Sequence, residues 1–592
     1  MRKVKLLLCA VSIILLNLIS TSTYAQNCSR GFSADSLDIN NTKSNLRTNG
    51  LLMSPIANPG EQNVESGLLL RDYSAKPAKD VSAILASSLW IGGTDADGNL
   101  RLSAEDLGSG TAFWPGPVLD IDSTGYSISP ADCRSWDKIF KVSKSAIETH
   151  RNNIANGIDD IPDEIAGWPG NGNPLFESIH GFIYGHANQG LAPYVDVNQD
   201  AVYNPEDGDY PDIENADEAA WWVINTIGGD NNLNVEAVFV EMQIMALTYD
   251  RHDLNLGNTV FYEVLIINRM FEPLENTYFS LWIAPELGCR EDDYVGCLPE
   301  ENLAFIYNQD AVDGTSGNFC VDSSDVFQGD IPLVGIPLYE GPFAPKIVDE
   351  QNELVDPPLG VTPDTLISLG MSSFTVYETL DNPDTPNEFY NLMQGLNKDS
   401  SPQVTEDVES PFAYAGNPNP PGTSGWVTCA EDTFLSSIRM MVNMGPFRYD
   451  PGQFNRIRFA VTGVQDVELP CPDITPLVDI IDSLNVINDN EQSTNTTTST
   501  TSLFAPQVEE AQLIPNPVQN TARLVLKDGK NLNNMRQVDI YNTAGVLQLT
   551  IQNVDNSGLQ LDLHDLNSGM YFYKVNTREG DLYSGKFVKM GE

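Results

Sequence analysis

The chain's most informative spacing is a run of oxygen-bearing side chains, Asp196-Val-Asn198-Gln-Asp200-Ala-Val202-Tyr-Asn204-Pro-Glu206-Asp207. Counting from Asp196, positions 1, 3, 5, 9 and 12 are Asp196, Asn198, Asp200, Asn204 and Asp207, and Val202 at position 7 offers a backbone carbonyl. A hard cation takes six to eight oxygens, and alternate residues of a tight turn point inward at it. The spacing therefore predicts a calcium site built from Asp196, Asn198, Asp200, Val202, Asn204 and Asp207. Its role would be structural, pinning a long loop.

The run departs from an EF-hand. Ala201 stands where glycine makes the sharp turn, Asp207 is shorter than the usual glutamate, and no helical pattern flanks the loop. A calcium loop of the dockerin or surface-repeat kind fits better; the alternative is an Asx-turn loop without metal. A second acidic cluster, Glu286-Leu-Gly-Cys289-Arg-Glu291-Asp292-Asp293-Tyr294, reads as a solvated turn, with a metal site as the alternative. His180 and His186 share a Gly- and aromatic-rich stretch, and His150 closes a helical pattern as a surface residue. Satisfied loop histidines are the expectation for this pair, with a metal pair as the alternative. No Gly-x-Ser-x-Gly, His-Glu-x-x-His or phosphate-cradling Gly-x-x-x-x-Gly-Lys-Ser/Thr occurs, so no catalytic or organic-cofactor residue is assigned.

The elements that must position these residues are mostly strands. Residues 26–130 read as short strands broken by turns, with Asp97-Gly98 a hairpin signal. Residues 131–153 carry apolar positions at helical spacing, and 154–217 are rich in Pro, Gly, Asn and Asp; together 131–217 form a helix plus a loop-rich, candidate calcium-binding region. Residues 218–485 alternate, with strands expected over 235–249, 259–268, 277–284, 303–307, 372–377 and 454–464. A polar linker, 486–512, contains Ser493-Thr-Asn-Thr-Thr-Thr-Ser-Thr-Thr-Ser502, which has too little apolar surface to fold. Beyond it, 513–592 holds about seven short strands. The fold class expected is mainly β: one or two antiparallel β-sandwich domains with a loop-rich, partly helical insertion, then a C-terminal immunoglobulin-like seven-strand sandwich.

The whole chain has 592 residues and a net charge of −50, from 82 acidic and 32 basic side chains. That length suits several domains. The charge argues against nucleic acid, whose phosphates would be repelled. The excess is not spread evenly: 513–592 carries eight residues of each sign, whereas 26–512 carries 74 acidic against 21 basic. Residues 1–25 read as a signal peptide, with Arg2, Lys3 and Lys5 before an apolar run and cleavage after Ala25. No other stretch is long and apolar enough to span a membrane, so no transmembrane segment is expected in the mature chain. Seven of the eight cysteines lie beyond the leader. An exported chain meets oxidising conditions, so disulfides are expected and at least one thiol stays unpaired within the chain; the connectivity stays open.

The tail carries, in order, Pro515-Asn516-Pro517, Val538-Asp539-Ile540-Tyr541-Asn542, Leu561-Asp562-Leu563, Ser568-Gly569-Met570-Tyr571 and Gly585-Lys586-Phe587-Val588-Lys589. In these motifs it resembles the type A C-terminal sorting domain of the type IX (Por) secretion system. The resemblance covers roughly 80 residues and implies a route. The chain would cross the periplasm and become secreted or displayed on the outer cell surface. Its partners would be the secretion translocon, a sortase-like protease acting at the tail, and an anionic lipopolysaccharide as anchor. Most of 85–465 is similar to large secreted proteins that carry this tail, through Leu89-Trp90-Ile91-Gly92-Gly93, Phe113-Trp114-Pro115-Gly116-Pro117, Gly208-Asp209-Tyr210-Pro211 and Gly445-Pro446-Phe447. That likeness implies location, not activity. Asp-Ser/Thr-Leu at 35–37, 364–366 and 482–484 resembles the O-glycosylation sequon of bacteria using this route. The passenger is thus expected to be a non-catalytic binding, adhesive or structural β-protein with bound calcium, its extracellular ligand unknown. The alternative is a secreted hydrolase acting on polysaccharide or protein.

Overall fold

The computed structural model describes residues 28–57, 64–107, 112–118, 120–122, 125–184, 190–251, 256–314, 320, 326–345, 366–405, 408–419, 427–430, 437–465, 467–481, 509–514, 518, 521–526, 535–542, 547–552, 560–564, 566, 569–577 and 582–589. Two nine-stranded antiparallel sheets dominate. The first runs, in spatial order, Ala34–Leu37, Thr42–Arg47, Leu68–Asp72, Lys79–Thr94, Leu274–Pro285, Ile438–Tyr449 and Ser373–Glu378. Leu51–Met53 and Leu100–Ser103 also pair with Lys79–Thr94. The second runs Phe140–Ser143, Glu218–Asn225, Val240–Thr248, Thr259–Asn268, Phe454–Val464, Leu333–Glu340, Leu303–Asn308 and Asp293–Leu298, with Trp114–Pro115 on Glu218–Asn225.

The strands form because alternate positions have apolar layers to fill on both faces. In Thr259–Asn268, Val260, Tyr262, Val264 and Ile266 join a core drawn from both sheets, with Leu281, Ile283, Met440 and Val442 facing them. The outer faces are covered too. Helix Pro386–Met393 packs Phe389, Leu392 and Met393 over Trp90 and Trp282 of the first sheet. On the second sheet, Trp221, Val223, Met245 and Leu247 meet Trp136, Trp168, Phe176 and Tyr203 from the region before residue 218. Ile474, Leu477 and Ile481 cover Phe305 and Tyr307.

The continuous helix expected over 131–153 is split. Helix Pro130–Ser135 ends at Trp136, strand Phe140–Ser143 pairs with 218–221, and helix Lys144–Asn156 follows. Tertiary pairing overrides the helical period here. The Asp137 carboxylate accepts from the amides of Phe32 and Ser33, and Phe140 and Val142 alternate into the aromatic layer. Ser143 then caps the second helix, and Gly157 ends it at φ +66°.

Disulfides join Cys28 to Cys133, Cys289 to Cys320 and Cys429 to Cys471, with Cα separations of 5.8, 5.8 and 5.7 Å. Cys297 is the remaining thiol among the described cysteines, buried with its Sγ 3.5 Å from Ala413 O. The tail forms seven strands in the order Leu547–Gln552, Met535–Asn542, Gly569–Thr577, Leu582–Lys589, Glu509–Ile514, Thr521–Leu526 and Gln560–Asp562. Its first strand runs parallel to its last, Glu509 opposite Tyr583. No helix among the described residues is long and apolar enough to cross a membrane.

Candidate functional site

The acidic loop is closed at its base by a two-strand ribbon, Tyr194 opposite Pro211 and Val195 opposite Tyr210. Aromatic packing fixes that base. Tyr203 is fully buried, its hydroxyl donates to Ile165 O (2.7 Å), and its ring stands 5.2 Å from that of Tyr194. Gly170 lies so close beneath Tyr203 that a Cβ there would sit 2.5 Å from the ring. Asn171 Nδ2 donates to Ala201 O (2.9 Å), tying the turn to the layer below.

The residues expected from the spacing lie together on this turn, tied by hydrogen bonds, although among the described residues no three of the loop's carboxylates bring oxygens within 4.8 Å of one another. Asp196, 3% exposed, accepts from the amides of Gln199 (2.7 Å) and Ala201 (2.7 Å). Asp200 Oδ1 accepts from the Val202 amide (2.8 Å). Asn198 Nδ2 donates to Asp200 Oδ2 (3.2 Å) and Asp207 Oδ2 (3.4 Å), and Asn204 Nδ2 donates to Asp207 Oδ2 (2.7 Å). Four of the six predicted residues thus meet side chain to side chain. Asn204 also starts the short 3-10 helix Pro205–Asp207, which Gly208 ends at φ +102°.

Asp209 is the residue the twelve-position spacing missed. It is fully buried, with Oδ1 accepting from the Val197 amide (2.8 Å) and Oδ2 from the Asn204 amide (2.9 Å). Burial, then the nearby Asp196 and Asp200 carboxylates, raise its pKa against those hydrogen bonds. The signal available was Gly208-Asp209-Tyr210-Pro211, a turn followed by the closing strand. No ion pair joins Asp196, Asp200, Asp207 or Asp209 to a cation among the described residues. An all-oxygen, multiply anionic donor set of this kind suits calcium.

The histidines stand apart from such chemistry. His150 is buried rather than on the surface, because its helix face packs on the loop; its Nε2 lies 3.1 Å from Asp209 O. His180 Nε2 contacts Gly167 O at 2.7 Å. Burial lowers both pKa values. His186 lies outside the described residues.

In the tail, Asp562 pairs with Thr521, Tyr571 with Phe587 and Asn542, Gly585 with Tyr573, Lys586 with Phe572, and Val588 with Met570. Gly569 pairs with Lys589 at the strand end. Leu561, Leu563, Leu566, Tyr571 and Tyr573 are buried. Pro515, Asn516, Pro517 and Ala25 lie outside the described residues.

Residues 512–590 match the family described as the secretion system C-terminal sorting domain. The chain therefore carries a type IX sorting domain, the class of signal that sends a protein out for secretion or cell-surface display. No curated protein matches the chain. Among solved structures, a polysaccharide lyase shares 8% identity, with 59% of this chain and 34% of that one covered and a TM-score of 0.16. The adhesin domain of Epf from Streptococcus pyogenes shares 8%, covering 59% and 84%, with a TM-score of 0.11. Dimeric latent PorU from Porphyromonas gingivalis shares 10%, covering 63% and 32%, with a TM-score of 0.12. The chain spans about a third of the length of the lyase and of PorU, and at these scores no argument about fold or activity passes from any of the three.

Proposed function

We propose that the passenger is a non-catalytic binding, adhesive or structural β-protein of the cell exterior, and that its Asp196–Asp207 loop holds a structural calcium ion. The observation that supports the calcium is the side-chain hydrogen bonding of Asn198, Asp200, Asn204 and Asp207 within one turn, with Asp196 and Asp209 buried in the same loop. A divalent cation there would offset carboxylates that no side-chain cation among the described residues pairs with. Asp196, Asn198, Asp200, Asn204 and Asp207 would supply side-chain oxygens and Val202 its carbonyl.

The non-catalytic reading draws support from two of the acids whose pKa burial raises. Glu105, pushed up to about 8 chiefly by burial, meets Arg30 and the Ala112 amide. Glu263, raised by burial, meets Arg458 at 3.2 Å. Both are braced inside the protein by counter-ions. Delivery would follow the tail: recognition by the secretion translocon, removal by a sortase-like protease in the polar linker, and attachment to anionic lipopolysaccharide or release.

The test is thermal unfolding of the mature passenger after chelation. Calcium should raise the melting temperature, and Asp200→Asn combined with Asp207→Asn should remove the part of that rise due to the loop. An unchanged calcium response in that variant removes the loop site. Hydrolysis of any polysaccharide or protein by the purified passenger would overturn the non-catalytic reading, whereas retention on a glycan or matrix array without turnover supports it.

A further inference from the structure

One segment, residues 411–416, stitches the edges of the two large sheets together. On the first sheet, the Phe374 amide of edge strand Ser373–Glu378 donates to Pro411 O (3.0 Å), and the Ala413 amide donates back to Phe374 O (3.0 Å). On the second, the Cys297 amide of edge strand Asp293–Leu298 donates to Tyr414 O (3.2 Å), and the Gly416 amide to Cys297 O (3.0 Å). Between these ties Tyr414 holds φ +49°, a left-handed conformation that a bulky residue rarely adopts. Backbone strain held in place by its surroundings concentrates at positions that grip ligands. Tyr414 lines an open cleft, about 790 Å³ of space continuous with solvent, together with Val376, Asn397, Pro402, Gln403 and Val404. No charged side chain is in that lining, in a passenger where 26–512 carries 74 acidic residues.

Two carboxamides of the cleft have their nitrogens committed to the protein. Gln403 is 6% exposed, and its Nε2 donates to Gly395 O (3.0 Å), Phe374 O (3.2 Å) and Pro411 O (3.4 Å). Exchanging its nitrogen and oxygen would set an oxygen against three carbonyls, so the orientation is fixed. Its Oε1 accepts from no donor among the described residues, yet is not sealed from solvent. Asn397 Nδ2 donates to Ser401 Oγ (3.0 Å) and Pro402 O (3.0 Å), which leaves its Oδ1 as a second acceptor. The turn that carries both amides is rigid. It follows helix Pro386–Met393 through Gly395, at φ +80°, where a Cβ would sit 2.5 Å from Ser373 Cβ. The cleft therefore presents fixed, uncharged acceptors beside the apolar side chains of Val376, Pro402 and Val404.

We propose that this cleft binds a neutral saccharide, whose hydroxyls donate to Gln403 Oε1 and Asn397 Oδ1, an assignment that rests on the passenger's non-catalytic binding role and gives it a ligand class. The chemistry of the lining selects the class. An anionic ligand would bring acceptors to acceptors, with no cation in the lining to offset its charge. A metal ion would call for carboxylates, which the lining lacks. A sugar brings many O–H donors without charge and lays its C–H faces on apolar side chains, and the cleft has the size of a small-ligand site. Nothing in the lining could act as the pair of carboxylates by which a glycosidase cleaves, so the cleft is built to hold.

The mature chain is titrated calorimetrically with maltotetraose, cellotetraose and mannotetraose, and in parallel with tetragalacturonate and a capped tetraglycine peptide. At least one neutral tetrasaccharide should bind, and neither the galacturonate nor the peptide. Val404 is 50% exposed, so Val404→Arg should leave the melting temperature unchanged while filling the cleft. It should weaken sugar binding about tenfold or more. Gln403→Lys keeps a donor for the three carbonyls and removes Oε1, and should weaken binding by a similar factor. No neutral tetrasaccharide bound at millimolar concentration, equal binding by wild type and both variants, or a preference for the galacturonate or the peptide overturns the assignment. Chromatography of the recovered sugar separates the cleft from the reading it rests on. Sugar cleaved by wild type and no longer bound by the variants keeps the cleft and removes the non-catalytic role. Intact sugar bound equally by all three chains removes the cleft and keeps that role.

Discussion

Ala201 holds φ +63°, and Gln199 two residues earlier holds +61°. The left-handed region costs a non-glycine residue roughly 1–2 kcal/mol, and glycine returns about half of that gain as extra freedom of the unfolded chain. Ala201→Gly should therefore stabilise the passenger by about 0.5 kcal/mol, read from denaturant midpoints; a loss would mean that the turn does not need that conformation. The spacing already marked this position as one where glycine belongs, so its strain was legible in the sequence. Asp209 was not, because it falls two positions past the template and enters the loop only through the closing ribbon. His150 was misplaced outward, since a helical period shows which residues share a face but not which face another segment covers. Burial lowers its pKa. Below about pH 6.5 the unfolded imidazole takes a proton more readily than the folded one. Stability is thus present above that pH and lost as pH falls toward the folded value. His150→Leu should flatten this part of the curve between pH 7.5 and 5, measured as a difference in urea midpoint from wild type; an unchanged slope would count against a buried neutral imidazole.

At the scale of elements, strands with apolar residues on both faces were the easiest to read: Thr259–Asn268 and Phe454–Val464 occupy the spans the pattern predicts. The split near residue 137 was unreadable locally, because what makes Phe140–Ser143 a strand is its pairing with 218–221. Helix Pro386–Met393 carried its own signal, Thr385-Pro-Asn-Glu388. The Glu388 amide donates to Thr385 Oγ1 (3.4 Å), and the Thr385 amide to Glu388 Oε2 (3.3 Å). This helix covers Trp90, whose ring lies 5.0 Å from Phe389 and 6.0 Å from Trp282. Thr385→Ala should lower stability by about 1 kcal/mol, whereas Phe389→Ala should cost about 3–5 kcal/mol by opening a cavity over the tryptophans. Equal losses from the two would show that the helix contributes by its start rather than by its packing.

At the scale of the molecule, the sorting tail was legible because its motifs recur in order along short strands. The passenger's architecture was legible only as a class, since a sequence shows alternation but not which distant strands pair. Strand Lys79–Thr94 lies against Leu274–Pro285, so the 26–130 and 218–485 regions share one sheet. Deleting 512–592 should leave the passenger in the periplasm, followed by fractionation and surface proteolysis; normal surface display of the truncated chain would refute the tail's role in export.

The last two described strands of the passenger carry a consequence in time. Ile438–Tyr449 lies between Leu274–Pro285 and Ser373–Glu378 in one sheet, and Phe454–Val464 between Thr259–Asn268 and Leu333–Glu340 in the other. Each sheet thus receives an interior strand near the end of the passenger. A chain emerging from its N-terminus cannot close either sheet, or the core between them, until Val464 has arrived. Such non-local pairing makes for slow folding with long exposure of open strand edges. Mutual repulsion among 74 acidic residues against 21 basic ones in 26–512 would keep neighbouring unfinished chains apart during that wait.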